Sequence, residues 1–342
     1  MKKIGFIVFI LSLSIISCSP KEKVEETVPV KYDSLLAKIS SPELKAINEL
    51  LKADPNNDSL YNERAGIYIQ LKQLQEAMGD ASRALKLDST KAKYYVTLAD
   101  VYFASNKTRL SKETLEATVK KFPNNTEALL KLAELFYLVR QYENAITHIN
   151  KALKIDENIA NAYFLKGCVF KEMGDTNKAI SSMQTAIEQD NKFFDAFYDV
   201  GLLYASRKNP LAFEYFNNAL RLRPSSESAV FAKAKLLQDL NRIDESLALY
   251  EEILRNNKNN VNVLYNLGAI NFTRKRDVNV AIDYFSKAIA VDPKYTEAYL
   301  ARGACFESLK DYKNAKADYE MCLKITPNYG PAIASLNSME KK

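Results

Sequence analysis

A phased recurrence of small and aromatic residues, roughly every 34 positions from Asp58 to Tyr329, constrains this chain more than any other feature. A large residue stands at Tyr61, Tyr95, Leu129, Tyr163, Phe197, Val230, Leu264 and Tyr299. Four residues after each comes a small one: Ala65, Ala99, Ala133, Gly167, Gly201, Ala234, Gly268 and Gly303. A second small position follows at Ala77, Ser111, Ala145, Ala179, Ala212, Ser246, Ala281 and Ala315. A third falls at Ala84, Thr118, Ala152, Ala186, Ala219, Ile253, Ala288 and Cys322. Self-similarity at such a period is the mark of a stacked repeat and has to be read before any local pattern.

Each period contains two apolar-periodic stretches of about a dozen residues separated by Gly-Asp, Asn or Lys-Asn turns, which predicts a helical hairpin. The small residues belong where the two helices cross closely, and Tyr and Phe fill the wider gaps between hairpins. One hairpin is too small to bury its own apolar face, so neighbours must supply the cover. The register gives units at 58–91, 92–125, 126–159, 160–193, 194–226, 227–260, 261–295 and 296–329. One is a residue short, at the turn with Asn209-Pro210, and one a residue long, around Arg276-Asp277-Val278. The unit 92–125 departs furthest from the pattern, with Ser111 and Thr118 at alanine positions; Thr108 or Ser111 is expected to cap its second helix. A degenerate capping hairpin is expected over 31–57 and a capping helix over 330–342, with Pro331 in its first turn.

This pattern of an aromatic, a small residue, Tyr, Ala, Phe, Ala and Pro resembles the tetratricopeptide repeat. The resemblance covers 58–329 and implies an all-α superhelix, a solenoid of about eight hairpins between helical caps. It also implies a function: the first helices of successive hairpins line a concave surface that holds a protein or peptide. Carried over by position, the wall residues are Val96, Leu130, Phe164, Tyr198, Phe231, Tyr265 and Leu300. A second row, a turn and a half further on, contributes Phe103, Tyr137, Lys171 and Phe272. Either these rows stand open as a binding wall, or part of them, Phe164 and Phe231 especially, is packed against the preceding repeat. The polar residues between them, such as Lys93, Asp100, Glu127, Glu134 and Asn161, have mixed signs. No run of basic residues resembles the clamp by which some family members hold a terminal carboxylate. Aromatic wall residues also suit sugar stacking, so a glycan- or peptidoglycan-associated module is the alternative function.

The N-terminus carries a different message. Met1 to Lys3 is basic, Ile4 to Ile16 is apolar and too short to span a membrane, and Ser17-Cys18-Ser19-Pro20 follows. Ile15-Ile16-Ser17-Cys18 resembles the lipobox of bacterial lipoproteins, with Ile where Leu is usual at its first position. The resemblance implies a signal peptide over 1–17, acylation of Cys18 as the mature N-terminus, and a polar tether over 18–30. Ser19 is unlike the aspartate that retains such proteins at the inner membrane, which favours the outer membrane, facing the periplasm. The lysine- and asparagine-rich composition resembles that of Bacteroidota envelope proteins.

Reactive chemistry is thinly represented. His148 is the one histidine, and Cys18, Cys168, Cys305 and Cys322 include no CxxC pair, so the usual zinc spacings are absent and no metal is expected. No glycine-rich phosphate loop and no nucleophile elbow occurs, so no cofactor and no enzymatic activity are expected. The net charge of +6 is spread over mixed-sign faces without an Arg/Lys stripe, which argues against a nucleic-acid partner. Cys168, Cys305 and Cys322 read as small core residues, with a Cys305–Cys322 bridge left open.

Overall fold

In the computed structural model, residues 42–339 are described. The signal-like segment, Cys18, the polar linker, residues 31–41 of the N-terminal cap and residues 340–342 lie outside them. The described chain is all helical. After α1 (Pro42–Ala53), helices alternate as first and second members of pairs. The first members are α2 (Asp58–Gln70), α4 (Ala92–Ala104), α6 (Thr126–Leu138), α8 (Ala160–Glu172) and α10 (Phe194–Ser206). They continue as α12 (Glu227–Asp239), α14 (Val261–Ile270) and α16 (Thr296–Ser308). The second members are α3 (Leu74–Leu87), α5 (Thr108–Lys121), α7 (Tyr142–Ile155) and α9 (Thr176–Gln189). They continue as α11 (Ala212–Leu222), α13 (Ile243–Asn256), α15 (Val278–Val291) and α17 (Tyr312–Ile325), and α18 (Gly330–Met339) closes the described chain. The chain divides into two compact units, one ending at Val200 and one beginning at Gly201, the division falling within α10.

Within each pair the small residues lie where the helices cross. Ala65, Ala99, Ala133 and Ala234 are fully buried, and so are Ala77, Ala145, Ala179, Ala212, Ala281 and Ala315 on the second helices. At three crossings of the second unit the small residue is a glycine facing an aromatic ring. A Cβ on Gly201 would stand 2.6 Å from Phe216, one on Gly268 2.7 Å from Phe285, and one on Gly303 2.7 Å from Tyr319. In the first unit Gly167 faces Met183 in the same way, at 2.5 Å. Apolar residues of adjacent pairs merge into a shared core within each unit: one holds Leu129, Leu132, Phe136, Ile149 and Leu165 in the first unit, and a separate one holds Val230, Tyr250, Val263 and Leu267 in the second.

The turns inside the pairs share one solution. Lys72, Asn106, Arg140, Gly174, Lys208, Asn241 and Lys310 all adopt left-handed backbone, with φ between 52° and 81°. The following amide donates to the carbonyl five residues back, as Gln73 N to Tyr68 O (2.8 Å), Gln141 N to Phe136 O (2.8 Å) and Asp311 N to Phe306 O (2.9 Å). These are Schellman closures, which satisfy the last carbonyls of the first helix. The pair built on α14 and α15 carries the extra residue. It is absorbed by a π-helical turn, Asn271–Lys275, that ends in left-handed Arg276. Asp277 N there reaches Asn271 O, six residues back, at 2.9 Å. Capping of α5 differs from expectation. Thr108 is the first helical residue and Lys107 precedes it without a side-chain cap bond. Ser111 is buried one turn in, where it fills the small crossing position.

Candidate functional site

In the first unit, first helices of successive pairs pack side by side, α2 on α4, α4 on α6 and α6 on α8. Two pockets open on this face. One, of about 270 Å³, is lined from α2 by Asn62, Glu63, Gly66 and Ile69, from α4 by Lys93, Thr97 and Asp100, and from α6 by Lys131. The other, of about 320 Å³, is lined by Glu127, Leu130, Lys131 and Glu134 of α6 and by Asp156, Ile159 and Asn161 around the start of α8.

Lys131 belongs to both. Its ammonium lies 3.4 Å from Asp100 Oδ1 and 3.7 Å from Glu134 Oε2. Burial pushes the Asp100 and Glu134 carboxyls above the ordinary carboxylate range, against the pull of Lys131. Burial works against the charged Lys131 as well, but the two carboxylates outweigh it and hold the ammonium above its usual value. Further along, Lys171 of α8 lies 3.7 Å from the fully buried Asp199 of α10. Burial raises the Tyr137 hydroxyl to about 12, and Glu172, Tyr142 and Asp199 push the same way.

The wall residues expected from sequence divide into two groups. Val96, Leu130 and Phe164 are buried and belong to the core, so of the two readings left open for these rows, packing holds at these three. The reason is local. Phe193, the residue entering the next pair, covers Phe164 at a ring-centroid distance of 4.8 Å, and Val96 and Leu130 sink into the cluster around Leu129 and Leu132. The others keep part of their surface. Phe103 and Tyr137 rest against that cluster, and Tyr198 stacks on Phe194 at 6.0 Å. In the second unit Phe231 tilts against Tyr250 at 5.6 Å, and Tyr265 lies between Phe285 (5.6 Å) and Tyr295 (5.3 Å). Phe272 sits in the π-helical turn beside Ala281 and Phe285, and Leu300 packs near Ala315 and Tyr319. Each is half-buried. Sequence reasoning named Lys93, Asp100, Glu127, Glu134 and Asn161 but passed over Lys131, which joins them. Its signal was its phase, one residue after the wall position occupied by Leu130.

Other expected chemistry has a structural role. His148 Nδ1 meets Asn144 O at 2.8 Å and its ring lies 5.3 Å from Phe136, so it is a helix residue leaning on the core. Cys305 and Cys322 are free, buried thiols; burial raises them to about 12 and about 11. Cys322 Sγ donates to Thr296 O. Among the described residues no group of three or more His, Cys, Asp or Glu side chains is placed to hold a metal. No helix among them is long and apolar enough to cross a membrane.

The described helices together define an all-α solenoid of stacked helix pairs. Two family models described as tetratricopeptide repeat match residues 58–91, 160–193 and 296–329, and residues 96–158 and 231–279, together more than half of the sequence. The chain belongs to the tetratricopeptide-repeat family. It is similar to human DnaJ homolog subfamily C member 7, 28% identical over 295 residues, covering 78% of this chain and 60% of that protein. This chain spans under two thirds of the length of such curated relatives. The C-terminal part of a repeat protein from Cytophaga hutchinsonii shares the fold at a TM-score of 0.60 and 18% identity, covering 72% of this chain and 99% of that one. A Parabacteroides merdae tetratricopeptide repeat protein does so at 0.55 and 18%, covering 72% and 97%.

Proposed function

We propose that the chain is an adaptor of a bacterial envelope, held to the outer membrane through acylated Cys18 and facing the periplasm, which docks a protein or peptide on its first-helix face. The observation that carries the docking reading is the placement of both pockets on the first helices and the turn before α8, where successive pairs meet. The half-buried Phe103, Tyr137, Tyr198, Phe231, Tyr265, Phe272 and Leu300 are the contact residues on this reading, and Lys171 sets orientation. Such rings lose little rotamer freedom on binding and concentrate interface energy when water is excluded around them. Val96, Leu130 and Phe164 support the wall from beneath. The division into eight units from 58 to 329 follows the sequence register, and anchoring rests on the lipobox-like Ile15-Ile16-Ser17-Cys18. Firm anchoring needs more than one acyl chain, which a diacylglyceryl cysteine supplies.

Two measurements test the reading. Metabolic labelling with a fatty acid should mark the wild type and spare Cys18→Ala; an unlabelled wild type would end the anchoring claim. For docking, Tyr198→Ala and Tyr265→Ala should each weaken capture of the co-isolated partner by about 2 kcal/mol or more, roughly thirtyfold. Unchanged capture by well-folded variants would move the partner to another face.

A further inference from the structure

The whole chain carries a net charge of +6, yet the pocketed face of the first unit runs the other way. Its two pockets hold five carboxylates, Glu63, Asp100, Glu127, Glu134 and Asp156, against the two ammonium groups of Lys93 and Lys131. Where the pockets join, one cation serves two half-buried carboxylates, Asp100 at 3.4 Å and Glu134 at 3.7 Å. With Lys93 the pocket of Asn62 holds two carboxylates and two ammonium groups, so the excess negative charge lies in the second pocket, where Glu127, Glu134 and Asp156 face Lys131 alone.

An independent observation points to the same kind of ligand. Asn62 is only 5% exposed and lines the pocket with Asp100 and Lys131, and its Oδ1 accepts no hydrogen bond. Leaving a buried acceptor without a donor costs about 1–3 kcal/mol, so such a group is informative about what the site is built to receive. Lysine and arginine bring donors and no acceptor. Their aliphatic stems also suit the apolar part of each pocket, Ile69 in one and Leu130 with Ile159 in the other. An anion is poorly served here, because the ammonium of Lys131 is already outnumbered by carboxylates.

We propose that this face binds a basic segment of a protein partner, one Lys or Arg side chain entering the pocket of Asn62 and Asp100 and another the pocket of Glu127 and Glu134. The inference rests on the first-helix face being the docking surface, and adds the chemistry of what docks there. Complementary charge of this kind sets partner choice and register as much as affinity.

The test uses the full chain and a fluorescent peptide in which Lys and Arg alternate with Ser and Leu, beside a counterpart with Glu for every Lys and Arg. The basic peptide should bind, weaken as salt rises, and lose about tenfold or more in affinity with Asp100→Asn combined with Glu134→Gln. The exposed pair Glu63→Gln and Glu127→Gln should weaken it too, and serves if the first pair perturbs folding. Equal or tighter binding of the acidic peptide, or basic-peptide binding indifferent to all four substitutions, overturns the proposal. A photo-crosslinking residue at Thr97 separates the two levels. If Thr97 captures a partner in cells while the basic peptide fails to bind, the charge inference falls and the docking face stands. If Thr97 captures nothing while second-helix positions do, both fall.

Discussion

Single residues decide how closely the paired helices approach. At Gly201, Gly268 and Gly303 the space a Cβ would need is held by a ring of Phe216, Phe285 or Tyr319 that is itself buried. Replacing any of these glycines by Ala should therefore cost about 1–3 kcal/mol through overpacking, read as a lower denaturant midpoint. Gly167→Ala should cost a similar amount, because its Cβ would meet Met183 Cγ at 2.5 Å and the backbone oxygen of Ala179 at 3.1 Å. Gly66 and Gly79 offer the control: each lies in a helix with nothing near a Cβ, so Ala there should be neutral or stabilising by up to about 1 kcal/mol. The Asp100–Lys131–Glu134 cluster adds a pH signature. Burial raises both carboxyls above their unfolded values, so the folded state binds protons more readily and loses stability as pH climbs from about 4 through the raised values. Asp100→Asn with Glu134→Gln should flatten that part of the midpoint-versus-pH curve; an identical slope in the double variant would exclude these groups as its source. The phased small positions were legible in the sequence because sterics alone fixes them. Packing of Phe164 was one of two readings the sequence allowed, but its cover was placed on the preceding repeat, whereas it comes from Phe193, on the approach to the next pair.

At the scale of elements, helix positions followed from apolar phasing, but the way pairs close did not. Only Gly174 among the left-handed turn residues is a glycine; Lys72, Arg140, Lys208 and Lys310 hold the same conformation with a Cβ in place. Lys310→Gly should remove that cost and stabilise by about 1 kcal/mol, with a raised melting temperature as the readout. A destabilised variant would mean that the long side chain contributes more than the backbone loses. The staples between pairs were equally hidden. Arg64 donates to both oxygens of Asp80 (2.6 and 2.8 Å) and to Asn48 Oδ1 (2.7 Å), tying α1, α2 and α3 together. Arg302 repeats the arrangement with Asp318 (2.9 and 2.8 Å) and Ser286 (2.9 Å). Lys166 and Lys233 reach back sixteen residues in the same phase, to Asn150 (2.9 Å) and Asn217 (2.8 Å). The cations stood in register in the sequence, but their partners lie on other helices. Asp318→Ala should cost about 2 kcal/mol, since it strips a largely buried guanidinium of two charge-assisted bonds.

At the scale of the molecule, a stack of pairs ties each hairpin chiefly to its neighbours, so damage should stay local. Gly303→Leu should speed amide exchange in α15 to α18 and leave α2 to α9 near wild-type protection. The fold class could be read from eight phased periods because each period holds two helical stretches with small residues where they cross, the pattern of a stacked helix hairpin. The docking face was only half legible: sequence position marked the wall, whereas its depth and its pockets depend on how neighbouring helices cover it. The central claim is that a partner sits on the first-helix face. Lysine crosslinking in intact cells, read by mass spectrometry, tests it most directly. Links to a common partner should come from exposed Lys93 and Lys235 on first helices, with Lys151 and Lys178 on second helices silent. Partner links confined to Lys151 and Lys178 would contradict the account.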